Sequence, residues 1–470
     1  MLVCLYFAFK YGLKSKNRKH ENMGNLAFGT DGIRAKSNSE IFKPENISRI
    51  ASAISFWTKD KVNKSEPCIL IISDTRKSCD TIKKHLTESL NYYGCNVLDA
   101  GVLPTPAALV ILKKHPEIDS AVVISASHNP AEYNGIKIFG SEGKLSEIDE
   151  ILVCEAFEKN ISPTPKNITG TAKKWENSAI FYEEKILIPF STNLLAGKKI
   201  ALDCANGAAF RVAPNIFRSL GAQVTTIGNT PDGTNINKGV GSEYPGALAK
   251  AVLENNADLG IAFDGDADRI LAINSKGKKR DGDDIAYIIS KHPDFMENTK
   301  IVGTIMTNEG LRHQLDQEGK TFVRTKVGDK YVSRKMQEIN SNLGSEPSGH
   351  VIIRSHIPCS DGIFAALKLC ETLCETDNWE MKSFKKFHQK TINVKTEIRK
   401  NLSEPPYSNI IESCKNDLNG GRVVVRYSGT EPLLRVMVEA KSKNECENSA
   451  LKLASELKKA LDEHIIRRKQ

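Results

Sequence analysis

Cysteine is scattered rather than patterned in this 470-residue chain: eleven are present, with no Cys-x-x-Cys pair and no alternating Cys/His spacing. That excludes the usual structural zinc frameworks. Cys370 and Cys374, four apart on what reads as one helix face, cannot close a tetrahedral site alone. No stretch is long and apolar enough to cross a bilayer, which takes ~20 residues. Near the N-terminus Leu2–Phe9 is apolar over only eight residues. The basic cluster Lys10, Lys14, Lys16, Arg18 and Lys19 follows that run, the reverse of a secretory signal. The thiols therefore read as reduced, in a cytoplasmic protein with no membrane partner. Residues 1–22 read as an extension outside the fold, disordered or the product of a start upstream of Met23. A short membrane-touching segment is the alternative. A strong excess of charge is also missing: 66 basic and 57 acidic residues give +9, and +4 of this lies in residues 1–22. The +5 left for the rest is too small to imply a nucleic-acid partner. No Gly-x-Ser-x-Gly elbow is present, which weakens a hydrolase reading.

What is present is the composition of a folded protein, 40% hydrophobic and 26% charged, and a repeated alternation of strands with amphipathic helices. The pattern predicts strand, helix and strand over Ile69–Ser73, Thr81–Tyr93 and Asn96–Asp99, with a further strand at Ala121–Ser125. The order recurs over Lys199–Asp203, Ala208–Ser219 and Gln223–Ile227, and again over Lys300–Met306, Glu309–Glu318 and Thr321–Thr325. The last part differs: Arg422–Arg426 and Leu433–Ala440 are β-rich around a Gly-Thr-Glu-Pro turn, followed by a helix over Glu445–His464. Three related α/β units and a C-terminal α+β module are expected, with Ile161–Lys166 and Thr376–Gln389 as connections.

Four loops carry chemistry. Ser125-Ala126-Ser127-His128-Asn129-Pro130 follows a strand end, where open α/β sheets place their ligands. A serine there suits a nucleophile or phosphate carrier; an Asn-Pro turn whose hydroxyls satisfy backbone groups is the alternative, and spacing does not separate Ser125 from Ser127. Asp264-Gly265-Asp266-Ala267-Asp268-Arg269 packs three carboxylates at alternate positions, which repel unless a cation sits among them. Hard oxygen ligands suit magnesium or calcium. The EF-hand reading fails because Arg269 and Ser275 stand where Gly and Glu are needed. Gly344-Ser345-Glu346-Pro347-Ser348-Gly349-His350 offers a carboxylate, a hydroxyl and an imidazole, suited to sugar hydroxyls or equally to an exposed turn. Arg426-Tyr427-Ser428-Gly429-Thr430-Glu431-Pro432, with Arg435, puts two guanidinium groups, two hydroxyls and an amide near a hairpin tip. That is a phosphate-binding set, or a plain hairpin with solvated arginines. Together the loops fit phosphoryl transfer, whose uncatalysed rate demands accelerations up to ~10²¹ while one acid/base group gives only about 10²–10⁴.

In these segments, and in Phe28-Gly29-Thr30-Asp31-Gly32-Ile33-Arg34 and Asn134-Gly135-Ile136-Lys137, the sequence resembles the α-D-phosphohexomutase superfamily, from Phe28 to Arg435. Gly303-Thr304-Ile305-Met306-Thr307-Asn308, Val327-Gly328-Asp329-Lys330-Tyr331-Val332 and Asp232-Gly233-Thr234-Asn235-Ile236-Asn237 look more like its phosphoglucosamine mutase branch than its phosphomannomutase/phosphoglucomutase branch. The resemblance implies four domains around a central cleft, at residues 23–173, 174–276, 277–388 and 389–470. It implies that Ser127 carries the phosphoryl group as phosphoserine and contributes a metal ligand with Asp264, Asp266 and Asp268, for one Mg²⁺. Arg34, His128, Lys137 and Arg269 would surround the reacting phosphate. Glu346 and Ser348 would hold sugar hydroxyls, and Arg426, Ser428, Gly429, Thr430 and Arg435 the other phosphate. The implied reaction is an isomerisation of glucosamine 6-phosphate and glucosamine 1-phosphate through a sugar 1,6-bisphosphate, feeding UDP-N-acetylglucosamine and cell-wall synthesis. A phosphomannomutase/phosphoglucomutase and a non-catalytic phosphosugar-binding protein are the other readings. The implied partner is a hexose phosphate, with the chain a monomer or homodimer. Three positions depart from the family pattern: Pro347 stands where glutamine is usual, and Ala267 and Ala35 where glycine is.

Overall fold

The computed structural model describes residues 28–29, 32–161, 169–297, 299–396, 398–428 and 432–469, the last six as backbone only. The N-terminal extension and most of the expected connection at 161–166 lie outside them. The described residues form four sheets. The first holds β1 (Ile33–Lys36), β2 (Cys68–Ser73), β3 (Asn96–Val102), β4 (Ser120–Ile124), β5 (Tyr133–Gly140), β6 (Gly143–Lys144) and β7 (Ala172–Lys174), in order β1-β5-β4-β2-β3-β7 with β6 on β5. The second holds β8 (Lys199–Asp203), β9 (Gln223–Ile227), β10 (Leu259–Phe263), β11 (Ile270–Asn274) and β12 (Lys279–Arg280), in order β12-β11-β10-β8-β9. The third orders β13 (Lys300–Thr304), β14 (Thr321–Thr325), β15 (Leu343–Ser345) and β16 (Val351–Ile353) as β14-β13-β15-β16. The fourth orders β17 (His388–Lys395), β18 (Arg422–Tyr427) and β19 (Leu433–Ala440) as β17-β19-β18. This is the expected α/β architecture of four modules, three of them alike.

The likeness of the first three is specific. Each has parallel strands joined through helices, and in each the chain then turns back from a parallel strand onto an antiparallel neighbour: β4 to β5, β10 to β11, β15 to β16. In every case the chain crossing from the central strand to its antiparallel neighbour is one of the chemistry-bearing loops. The strands leading in are buried on both faces, Ser120–Ile124 and Leu259–Phe263 throughout, as near-continuous apolar runs of covered sheets are. The loop therefore leaves from a rigid support.

One apolar core is shared by these three modules, running through Leu70, Leu109 and Ile111, then Phe217, Ile261 and Phe263, then Ile301, Leu343 and Leu367. The fourth has its own, built from Val394, Leu434, Val436, Val438, Leu453 and Leu457. It docks on the third through polar groups instead. Arg422 donates to the carbonyls of Ile305 (2.7 Å) and Thr307 (2.6 Å) and pairs with the fully buried Glu439. Asn308 exchanges two hydrogen bonds with the backbone of Phe387, just before β17.

Several element ends differ from the sequence pattern. The expected helix over Ala208–Ser219 begins only at Val212, because Ala205 and Asn206 take left-handed φ of 54° and 50° and the Ala208 amide bonds the Gly265 carbonyl. This segment is tied to the acidic loop and is not free to coil. β13 ends at Thr304 rather than Met306, where Thr307 turns back onto the Thr304 carbonyl. The last helix runs Lys443–Lys469, longer than its apolar spacing suggested. No helix among the described residues is long and apolar enough to cross a membrane.

Candidate active site

Ser127 sits just past β4, fully buried, with a left-handed φ of 53°. A non-glycine residue there costs of order 1–3 kcal/mol unless its surroundings hold it. Here they do. Its carbonyl accepts from Arg76 Nη2 and Asn237 Nδ2, both at 2.9 Å, and its amide donates to Ser125 Oγ at 2.9 Å. The Ser127 hydroxyl is thereby aimed at the second module, donating to Asp264 Oδ2 at 2.6 Å and lying 3.2 Å from His128 Nδ1. Ser125 Oγ instead donates to Asp74 Oδ2 at 2.6 Å. The spacing left two serines open; the geometry puts only Ser127 against the acidic loop.

That loop lies between β10 and β11. Asp264, Asp266 and Asp268 are buried, each offering an oxygen within 4.8 Å of the others. A solvated acidic turn is thus ruled out. Burial, then the charges of Asp268 and Asp266, push the Asp264 carboxyl up to about 7. Lys137, on β5, donates to Asp266 Oδ2 at 2.7 Å and Asp268 Oδ2 at 3.3 Å, one ammonium against three carboxylates. Asp266 Oδ1 is buried with no hydrogen-bond partner among the described residues. A hard-oxygen donor set with an orphaned buried oxygen fits a divalent cation. Close packing is built in: a Cβ on Gly265 would lie 2.5 Å from the Ser127 carbonyl oxygen. Ala267 keeps the left-handed φ (57°) that glycine adopts more easily.

Two cations act on the residue that follows the serine. Burial, then the charges of Arg269 and Arg34, pull His128 down to about 3, so its imidazole is neutral near pH 7. Arg34 enters from β1, in register with Gly135 of β5. The Arg269 amide donates to Asp264 Oδ1 at 3.2 Å and its side chain reaches Glu243.

The third loop is not an exposed turn throughout. Glu346 is buried; Oε1 accepts from the Gly328 amide at 2.9 Å and Oε2 lies 3.0 Å from His350 Nδ1. His350 Nε2 faces Asp268 Oδ1 at 3.2 Å. Burial works against a charged imidazole, yet Asp268 and Glu346 outweigh it and hold His350 up at about 10. This histidine links the loop to the acidic triad. Ser348 is exposed beside it, 3.3 Å from His350 Nδ1. The Gly349 amide closes a turn onto the Glu346 carbonyl, which puts Pro347 at the second turn position, where proline is favoured and no amide is needed.

In the fourth module Arg426 and Arg435 are direct partners across β18 and β19. Burial and the facing Arg435 charge lower the Arg426 pKa, and like charges directly opposite are destabilising in a sheet. Ser428 is buried, its carbonyl held by Arg399 at 2.7 Å. Gly429 and Thr430 lie outside the described residues.

Three supporting residues escaped the sequence reading. Arg76 spends its whole fork in the first module, on Asp74, Pro130, Tyr133, Ser127 and Asn129. Asn237 reaches the same loop from the second, and Thr105 of the first reaches Asp266. The available signal was position: Arg76 and Thr105 follow β2 and β3 at the sheet edge that also carries Ser127.

Comparison with known proteins agrees with this layout. Models of the phosphoglucomutase/phosphomannomutase family match alpha/beta/alpha domain I at residues 25–163, domain II at 182–277, domain III at 281–391 and the C-terminal domain at 391–456. A phosphoglucosamine mutase of Clostridium acetobutylicum is 39% identical over 454 residues, covering 93% of this chain and 99% of its own. One of Aeromonas salmonicida is 38% identical over 451 residues, covering 93% and 100%. A solved phosphoglucomutase/phosphomannomutase family protein from Burkholderia thailandensis shares the fold, with TM-score 0.75 at 20% identity over 91% of this chain and 97% of that one. The chain belongs to the phosphoglucomutase/phosphomannomutase family, the α-D-phosphohexomutases, and is similar within it to bacterial phosphoglucosamine mutases.

Proposed function

We propose that this isomerase interconverts glucosamine 6-phosphate and glucosamine 1-phosphate, with Ser127 as the group that carries the phosphoryl between turnovers. The observation that carries the substrate is the full-length likeness, at 38–39% identity, to proteins named phosphoglucosamine mutase. The observation that supports the chemistry is the 2.6 Å contact of Ser127 Oγ with Asp264, in an acidic loop that also receives Lys137 on Asp266 and Asp268.

Asp264, Asp266, Asp268 and the Ser127 oxygen would hold Mg²⁺, which when bound offsets the charge of a phosphoryl group in transfer. Phosphorylated Ser127 gives its group to the free hydroxyl of a hexose monophosphate, forming the O–P bond of a 1,6-bisphosphate and breaking its own. After the sugar turns over, Ser127 takes the other phosphoryl group. In the first half the proton of the attacking sugar hydroxyl passes to the departing Ser127 Oγ; in the second the Ser127 hydroxyl, now the attacking group, passes a proton to the departing sugar oxygen, so the cycle consumes none. Arg34 and Arg269 set positive charge against the equatorial oxygens, where such transfer needs it. Neutral His128 offers a hydrogen bond without competing for the phosphate's counter-charge. Arg426 and Arg435 of the fourth module bind the phosphate that is not reacting, with Gly429 and Thr430, and Glu346 and Ser348 grip the sugar. The assembled site argues against a non-catalytic binder.

The test is a comparison of kcat/KM for glucosamine, glucose and mannose 6-phosphates. Glucosamine 6-phosphate is expected to lead by at least tenfold, ~1.4 kcal/mol. Equal or better use of glucose or mannose phosphate would return the chain to the phosphomannomutase/phosphoglucomutase reading, for which Pro347 in the sugar loop is the one favouring feature.

A further inference from the structure

Thr105 stands in the segment Pro104-Thr105-Pro106 between β3 and the helix Ala107–Lys114. Both neighbours are prolines, which have no N–H and a fixed φ. Thr105 is therefore the one backbone donor of this tripeptide, held on a stiff support. It is buried, 1% exposed; its carbonyl accepts from the Ala108 amide at the start of the following helix, but both of its donors point into the second module. Its amide donates to the Asp266 carbonyl at 2.9 Å, and its hydroxyl donates to Asp266 Oδ2. The two residues are 161 positions apart, in different modules.

The consequence lies on the other oxygen. Oδ2 of Asp266 takes both the Thr105 hydroxyl and the Lys137 ammonium at 2.7 Å. Both donors come from the first module, and they occupy one side of the carboxylate. Oδ1 is left buried without a hydrogen-bond partner among the described residues. A carboxylate pinned at one oxygen and at its own backbone carbonyl cannot rotate to satisfy the other by itself. Outer-shell donors of this kind orient metal ligands, and removing one typically costs about 10–100-fold in metal affinity.

We propose that Thr105 is a positioning residue that presents Asp266 Oδ1 to a divalent cation, so that the first module sets the metal affinity of a loop belonging to the second. The proposal rests on the reading that the three aspartates bind a cation. Its prediction differs from that of a residue needed only for packing. A packing residue would change stability and leave the affinity of the folded chain untouched; Thr105 changes the affinity.

The experiment is a titration of the full chain with Mn²⁺, free ion read by electron paramagnetic resonance, for wild type, Thr105→Val, Thr105→Ser and Asp266→Asn. Thr105→Val keeps shape and removes the hydroxyl; it should weaken Mn²⁺ by ~10–100-fold, with turnover recovered at high Mg²⁺. Thr105→Ser keeps the donor and should bind within about threefold of wild type. Should the valine variant not fold, Thr105→Ala removes the same hydroxyl with no methyl against the carboxylate, and the same weakening is expected. Wild-type affinity in a folded variant lacking the hydroxyl overturns the proposal alone, as does a serine variant as weak as the valine one. A wild-type chain that takes up no Mn²⁺, or an Asp266→Asn chain that binds as wild type, overturns the cation reading, and the proposal with it.

Discussion

The two ends of the proposed substrate site are built in opposite ways. At the reacting end, between the first and second modules, the nucleophile is tied down: Ser127 is held at amide, carbonyl and hydroxyl, and Lys137 already neutralises part of the acidic triad, while Asp266 Oδ1 is left without a hydrogen-bond partner among the described residues. At the binding end, in the fourth module, Arg426 and Arg435 oppose each other across a two-stranded contact, and no carboxylate pairs with Arg426 among the described residues. The first is preorganised and resembles a protein interior. The second stores like-charge repulsion that an anion would relieve. The modules differ in the same sense, since the first three share an apolar core and the fourth is attached through Arg422, Glu439 and Asn308. On the proposed function, the tightly held geometry lies where bonds change, and the facing pair of arginines lies where the other phosphate binds.

The comparison can be broken first at the reacting end. Ser127→Ala removes the only hydroxyl that touches Asp264 in this loop, and turnover should fall by at least ~10³-fold. Intact-mass measurement after treatment with a 1,6-bisphosphate should show +80 Da, about one phosphoryl group, on wild type and none on the variant. Retained turnover or retained label would remove the phosphoserine from the mechanism. Next in size is the binding end. Arg435→Ala should raise KM about 10–100-fold, the value of one or two charge-assisted hydrogen bonds, with kcat less affected because the group acts before and after transfer. The same change also removes a like charge opposite Arg426, so the unliganded protein should melt no earlier than wild type. A lower melting temperature with an unchanged KM would make Arg435 a structural residue and erase the contrast between the two ends.

The sequence showed the two ends unequally. The acidic loop was legible by itself, because three carboxylates in five residues conflict with a bland role; the serine and sugar loops, each open to a plain turn, gained meaning only beside the other loops and the family resemblance. The modular fold was legible from alternating strands and helices, although Lys300–Met306 and Ala208–Ser219 were drawn too long: tertiary ties at Thr304 and Gly265 override local propensity there. What stayed hidden was the support. Arg76, Thr105 and Asn237 act on Ser127 or Asp266 from 51, 161 and 110 residues away. All three bond to backbone carbonyls, which every residue possesses and no motif marks. The choice of Ser127 over Ser125 was hidden for the same reason, since it depends on Asp74 engaging the other hydroxyl.

The smallest effect tests whether that hidden support is separable from the fold. Asn237 takes a left-handed φ of 59° and donates through Nδ2 to the carbonyls of Ser127 at 2.9 Å and Asn129 at 3.0 Å. An alanine variant would mix two causes, lost donors and backbone strain, because asparagine tolerates this region far better than alanine. Glycine removes the donors and keeps the conformation. Asn237→Gly should lower kcat ~3–10-fold, as expected for one or two neutral hydrogen bonds at about 0.5–1.5 kcal/mol each, and leave KM within about twofold. Arg76 still holds the Ser127 carbonyl in that variant, which is why the loss stays small. Asn237→Ala should match it in kcat but unfold ~1 kcal/mol more readily, the added cost of the left-handed backbone. If both variants lose stability equally and neither loses kcat, the second module merely packs against the serine loop. If kcat falls in both and stability only in alanine, the seam between the modules positions the nucleophile.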